Sequence, residues 1–480
     1  MIFLNYLPPY NKPNMKQSYL FLVLSLLVLT MACGTQEQTS ETTTTTDTTA
    51  TPLPAPDWAK NATIYEVNTR QFSQEGNFKA VEAQLPRLKE LGVDIIWLMP
   101  IFPISEENKK GTLGSPYAVA DYKAVNPAYG TIADFKSLVN RAHALGLHVI
   151  LDWVPNHTGW DHVWTKQHPD WYTRVNGKMT APVDPKTGKP TDWTDVVDLN
   201  YDNPEMRQGM IDAMQFWLRE TDIDGYRCDV AGFVPNDFWA ELRPELDKIK
   251  TVFMLAEWED EPDHFRSCFN MNYGWSMHTM LKAIAQGART ADKLDSLRLA
   301  NQKRLPAWHY QMLFTQNHDE NTWNGTLNES FGPAADACFV LCSTLEGMPL
   351  VYNGMESNLN KRLPFFEKDS IDWGNYGKTD FYKALLTLKH RNTALWNGQA
   401  GGKLIKIPTD HDQQVYAFYR QRDSDRVVVI VNLSNQTLDF HLNGNGYEGM
   451  YTDVFMHEPV TLKPDMTVSL KPWEYRVLTN

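Results

Sequence analysis

From residue 62 onward the hydrophobic and polar positions alternate between short apolar runs and amphipathic stretches. The runs cover 62–68, 94–99, 148–153, 223–228, 252–257, 268–273, 309–314 and 348–352, each the length of a strand buried on both faces. Between them, apolar residues recur at helical spacing over 78–91, 132–145, 204–221, 235–249, 291–303 and 333–345, with a last such stretch at 381–395. Eight strands alternating with helices predict an α/β fold, a (β/α)8 TIM barrel over 58–396, in preference to an open doubly wound sheet. The polar, Trp-rich stretch 158–200 is too long for an ordinary connection, so it predicts an inserted subdomain after strand 3. After Trp396 the texture changes to short alternating segments separated by Asn, Gly and Asp turns. That pattern predicts a C-terminal antiparallel β-sandwich over 397–480, read as a packing module in preference to a carbohydrate-binding one.

Ahead of the barrel, Lys16 precedes an apolar run over 19–29, followed by Thr30, Met31, Ala32, Cys33 and Gly34. The run is shorter than the ~20 apolar residues of a spanning helix, and a small residue before the cleavage point is expected of an export signal. It resembles a bacterial lipoprotein signal, which implies removal of residues 1–32 and lipidation of Cys33; Met15 offers an alternative start. A plain secretory signal or an uncleaved anchor is the alternative. The Thr-rich tract over 33–57 lacks apolar periodicity and reads as a disordered tether. The expected location is therefore outside the cytoplasm, lipid-anchored to a bacterial membrane through Cys33, on its periplasmic face or at the cell surface.

Composition narrows the partners. A net charge of -13 with no basic cluster argues against nucleic acid and fits a neutral substrate. Sixteen Trp residues are enough for sugar-stacking surfaces as well as for core packing. Of five cysteines, lipidation of Cys33 would leave four, none with metal-ligand spacing, so they read as buried small hydrophobes and no disulfide framework is expected.

The candidate chemistry sits where the apolar runs end. The segment from Asp224 to Asp229 turns at Gly225 and places Arg227 and Asp229 two residues apart, hence on one side of a strand. A cation beside a carboxylate keeps it ionised and oriented, as a carboxylate nucleophile requires. Alone, such a pair is ordinarily a structural ion pair. Three other runs end in the same way, at Asp152 with Asn156 and His157, at Glu257, and at His318 with Asp319. Four strands each ending in acid or imidazole describe one pocket.

In order, these motifs resemble glycoside hydrolase family 13, the α-amylase family, over nearly the whole mature chain. Residues 152–157 are similar to its third-strand motif, 224–229 to its fourth, 256–258 to its fifth and 317–319 to its seventh. The loop 114–122, residues 197–200 and the stretch 347–356 are similar to three further motifs. The resemblance implies a retaining hydrolase of α-1,4-glucosidic bonds in starch, glycogen or maltooligosaccharides. Asp229 would be the nucleophile, Glu257 the acid/base and Asp319 the group binding the hydroxyls of the reacting ring; Asp152 would be structural support. Arg227 would orient Asp229, His157 and His318 would donate to hydroxyls, and Tyr117 would stack under that ring. Calcium bridging Asn156 and Asp198 stays open, since hard oxygen ligands suit it; no other cofactor is implied. Two departures bear on specificity. Gly232 and Phe233 replace the Lys and His common at the end of the fourth motif, and Ser115 replaces a histidine before Tyr117. The alternatives are an oligosaccharide-directed α-glucosidase, a cyclomaltodextrinase or a glucan transferase. The cyclomaltodextrinase type is disfavoured because no added sandwich is evident before the first strand. A non-catalytic glucan-binding lipoprotein would be expected to have lost a carboxylate, and Asp229, Glu257 and Asp319 are all present.

Overall fold

The computed structural model describes residues 52–374 and 376–480; the expected export signal, Cys33 and the expected tether as far as residue 51 lie outside the described residues. Eight parallel strands close a barrel: Ile64–Val67, Ile95–Leu98, His148–Trp153, Gly225–Cys228, Phe253–Ala256, Met271–Tyr273, Tyr310–Leu313 and Met348–Tyr352. Each pairs with its neighbours in sequence, and Ile64 pairs with both Ile95 and Leu350, which closes the ring.

Period-two alternation divides every strand between two cores. Ile64, Ile95, Trp97, Ile150, Phe253, Leu255, Met271 and Tyr273 fill the barrel interior. The intervening Tyr65, Ile96, Leu98, Val149, Leu151, Tyr226, Met254 and Ala256 pack outward with the helix layer. Continuing the inward set toward the C-terminal ends reaches Glu66, Asp152, Arg227, Asp229 and Glu257. The alternation that builds the core therefore also aims the ionisable groups into one mouth.

The helices have local causes. Phe78–Leu91 starts on Asn77, whose side chain accepts from the Ala80 amide, and stops at Gly92 in the left-handed region (φ 96°). It buries Phe78, Val81, Leu85, Leu88 and Leu91 at helical spacing, each worth about 1.5–3 kcal/mol of transfer free energy. A capping box between Thr131 and Asp134 opens Ile132–Ala144, and Asn203 with Pro204 at the first position opens Pro204–Thr221. Two units differ from the expected pattern. After the fifth strand only the four-residue helix His264–Ser267 intervenes, and after the sixth a helix at Trp275–Ala285 precedes the expected one, which runs Lys293–Arg304.

The insertion leaves the barrel through His157–Gly159, antiparallel to Val196–Asp198, with two small hairpins between them. The C-terminal region forms a six-stranded antiparallel sheet and a two-stranded sheet, Leu438–His441 with Thr467–Leu470. Ala417, Val428, Ile430, Phe440 and Leu470 lie in the core between these sheets. The alternate residues Tyr416, Phe418, Val427, Val429 and Val431 join the core shared with the barrel helices. The cysteines at 228, 268, 338 and 342 are buried free thiols.

Candidate active site

Strand register assembles the centre. Arg227 is the pairing partner of Asp152, and one rung on, the Glu257 amide donates to the Cys228 carbonyl at 3.0 Å while the Asp229 amide donates to the Trp153 carbonyl at 2.8 Å. These bonds fix the two carboxylate-bearing backbones side by side at the rim.

Arg227 is fully buried and is shared by three acids. Its Nη1 donates to Asp152 Oδ1 at 2.7 Å and to Asp229 Oδ1 at 2.8 Å. Nη2 lies 3.0 Å from Glu257 Oε1, an ion-pair contact outside hydrogen-bonding geometry. Its Nε donates to the Tyr273 hydroxyl at 3.2 Å, and the rings of Trp97, Tyr117 and Tyr273 surround the guanidinium at 5.2 to 5.7 Å. A buried cation this well paired stays charged, and its pKa is carried further up by Asp152 and Glu257 despite burial. Asp152 in turn accepts from Trp97 Nε1 at 3.1 Å and the Tyr117 hydroxyl at 2.9 Å. Bound to Arg227, Trp97 and Tyr117, it supports the site from below.

Glu257 is biased toward its neutral form. Burial pushes its carboxyl well above the usual range, the nearby guanidinium opposes, and the negative charges of Asp229 and Asp319 add to the rise. Its Oε2 accepts from the Val230 amide at 2.8 Å, and Val230 holds that position in the left-handed region at φ 36°, an uncommon place for a β-branched residue. One carboxyl biased toward protonation beside another on a buried cation is the division of labour that glycosidic cleavage requires.

The imidazoles divide as well. His318 is sandwiched between carboxylates, its Nδ1 on Glu66 and its Nε2 3.3 Å from Asp319, and Nε2 also lies 2.9 Å from the Tyr117 hydroxyl. Burial works against its charge, yet Asp319 and Glu66 raise its pKa to about 9, so it is an imidazolium donor at neutral pH. His157 is lowered by burial, with Asp229 and Asp195 opposing, and packs edge-on to Trp193 at 5.7 Å. Tyr117 stacks on His318 (5.5 Å between centroids) and on Phe365 (5.9 Å, interplanar 10°). Among Asp229, Glu257 and Asp319, Asp319 is the most open, its side chain a third exposed.

The motif positions thus bring together Tyr117, Asp152, His157, Arg227, Asp229, Glu257, His318 and Asp319. Glu66, Trp97, Tyr273 and an aromatic wall were not singled out from sequence. For Glu66 the available signal was a lone acid inside an apolar strand run. The wall joins Trp193 of the insertion to Phe233 (5.8 Å, stacked) and Phe233 to Trp258 (5.9 Å). It explains Gly232: a Cβ there would lie 2.0 Å from the Trp258 ring.

Asn156 and Asp198 are neighbours, since the Leu199 amide donates to the Asn156 carbonyl and Asp198 pairs with His157 across the insertion's two strands. Both side chains carry oxygens of the kind calcium takes. Asp198 supplies one carboxylate, the Asn156 amide lies against the His157 ring at 3.3 Å, and among the described residues no group of three acidic, imidazole or thiol ligands gathers. Calcium takes six to eight oxygens, and no chemistry below is routed through it.

The family profile for the α-amylase catalytic domain matches residues 43–402, and that for the maltogenic amylase C-terminal domain matches residues 406–477. A maltogenic α-amylase from Thermotoga neapolitana superposes with a TM-score of 0.78 at 29% identity, covering 87% of this chain and 98% of that one. An α-amylase from Lactobacillus plantarum superposes at 0.77 and 31% identity, covering 88% and 99%. In sequence, the α-amylase MalA of Haloarcula japonica is 28% identical over 80% of this chain, which spans 57% of that relative's length. Neopullulanase 2 of Thermoactinomyces vulgaris is 26% identical over 88% of this chain and 78% of its own length. With a catalytic-domain match across most of its length and a carboxylate cluster at the mouth of the barrel, the chain belongs to the α-amylase family of glycoside hydrolases.

Proposed function

We propose that the protein is a retaining hydrolase of α-1,4-glucosidic bonds in starch, glycogen or maltooligosaccharides. The observation that carries this reading is one buried guanidinium touching both Asp229 and Glu257, at 2.8 and 3.0 Å. Two carboxylates clasped by one planar group support the short separation of a retaining pair, about 5–5.5 Å, over the wider gap of about 6.5–9.5 Å that an inverting pair leaves for water.

In this reading Asp229, oriented by its 2.8 Å contact with Arg227, attacks the anomeric carbon and forms a β-linked glycosyl ester. Glu257 gives its proton to the departing oxygen, then takes one from the water that opens the ester, so the product carries the α configuration. Asp319 and the imidazolium of His318 bind hydroxyls of the reacting ring, and Tyr117 supports its face. His157, kept neutral by burial, reaches the same ring from the side of Asp229.

A second reading, glucan transfer, draws support from the wall of Trp193, Phe233 and Trp258 beside the acid, because an aromatic surface there favours an acceptor sugar over water. The two separate in a product profile from soluble starch, maltoheptaose, pullulan and cyclodextrin, resolved over time. Early mixed oligosaccharides from starch are expected; products longer than the maltoheptaose supplied would move the assignment to a transferase, and one small product alone to an exo-acting glucosidase.

A further inference from the structure

Trp323 is an exposed aromatic, 46% accessible, four residues past Asp319 on the one-turn π-helix Glu320–Asn324. Its ring gives the fold little burial, yet its position is fixed. Asn321 Nδ2 donates to the Lys361 carbonyl at 3.0 Å, the Leu363 amide donates to Asn321 Oδ1 at 2.8 Å, and the Thr322 hydroxyl donates to the Leu363 carbonyl at 2.9 Å. These bonds clamp the turn to the segment that carries Phe365 and Phe366. Trp323 then lies 5.3 Å from Phe365 and 5.9 Å from Phe366, and Phe365 is near-parallel to Tyr117. An aromatic path therefore leads from the reacting ring outward to solvent.

Its direction follows from the barrel. Glu257, the proposed donor to the leaving oxygen, immediately follows the fifth strand, and the wall of Trp258 and Phe233 belongs to the loops after the fifth and fourth. Tyr117, Trp323 and Phe365 belong to the loops after the second, seventh and eighth, the opposite arc of the ring. With Glu257 as the proton donor, the first arc would receive the leaving sugar and the second the sugars on the non-reducing side of the cleaved bond. We infer that Trp323, with Phe365, forms a donor-side platform that stacks glucosyl units beyond the reacting ring and sets which bond of a chain is cleaved. The C–H faces of pyranose rings and a rigid, exposed indole are complementary, and π-turns tend to occur at functional sites.

The test uses reducing-end-labelled maltoheptaose and the bond-cleavage distribution of the full chain, of W323A and of W323F. W323A should lose about five- to tenfold in kcat/KM on maltoheptaose and shift cleavage toward the first bond from the non-reducing end, while W323F restores most of both. An unchanged distribution in W323A overturns the platform, whether or not kcat/KM falls, because a merely structural role lowers activity without moving the cleaved bond. The inference rests on the α-glucan reading. Wild-type protein that leaves maltoheptaose intact fails that reading and the platform together, whereas the platform alone fails when wild type and W323A cut the same bonds.

Discussion

At Glu257, burial and two neighbouring carboxylates push the carboxyl toward its protonated form while Arg227 and the Val230 amide pull the other way. In the proposed mechanism the acid form must persist at working pH for the leaving oxygen to receive its proton, so the alkaline limb of kcat/KM should report the Glu257 titration in the free enzyme. Asp319 raises that pKa with its negative charge. Asp319→Asn should therefore move the alkaline limb to lower pH, besides lowering activity; a limb that stays in place would remove Asp319 from the account of Glu257. The gathering of these carboxylates was legible in sequence, because Asp229, Glu257 and Asp319 each end an apolar run. Glu66 was not: it lies inside its run, and only closure of the barrel brings the first strand against the seventh, where Glu66 meets His318.

The fourth strand depends on a close approach at the scale of the element. Gly225 sits at φ 153° with its α-carbon against the fifth strand, and a Cβ there would lie 1.8 Å from the Phe253 carbonyl oxygen. Gly225→Ala must push the two strands apart just below Arg227 and Asp229. The expected outcome is loss of soluble, folded protein, or a folded remnant with a sharply lowered thermal midpoint; a variant as stable as wild type would show that the strands tolerate the separation. Strand existence was readable because buried parallel strands are short apolar runs bounded by polar residues. The helix Trp275–Ala285 was missed for a local reason: it follows the sixth strand after Gly274 alone and has no side-chain cap, so no start signal separates it from the strand. The aromatic wall was illegible because its members come from the insertion and two different loops, which no local pattern links.

For the molecule as a whole, the barrel and the C-terminal sheets share a core, and a buried arginine joins them. Arg420 donates to the Leu345 carbonyl at 2.7 Å, to Gly402 at 2.9 Å, to Trp396 at 3.0 Å and to Thr344 at 3.2 Å. Burial lowers its pKa to about 10, so it remains charged at neutral pH and leans on these carbonyls. Arg420→Ala leaves them without their donor and should cost about 3 kcal/mol, read as a lower urea midpoint with kcat on soluble starch unchanged per folded molecule. An unchanged midpoint would mean that the apolar contacts alone hold the sheets in place. The sequence foretold a sandwich here from its alternating segments, but not the contact that attaches it, since a lone Arg in a strand reads as solvent-facing.

The central claim is that Asp229 and Glu257 cleave an α-1,4-glucan by double displacement, and the anomeric form of the first product tests it most directly. Proton NMR of maltoheptaose hydrolysis, recorded before mutarotation equilibrates the new reducing ends, should show the α-anomer accumulating first. A β-anomer appearing first would mean inversion, and with it that Asp229 is not the nucleophile.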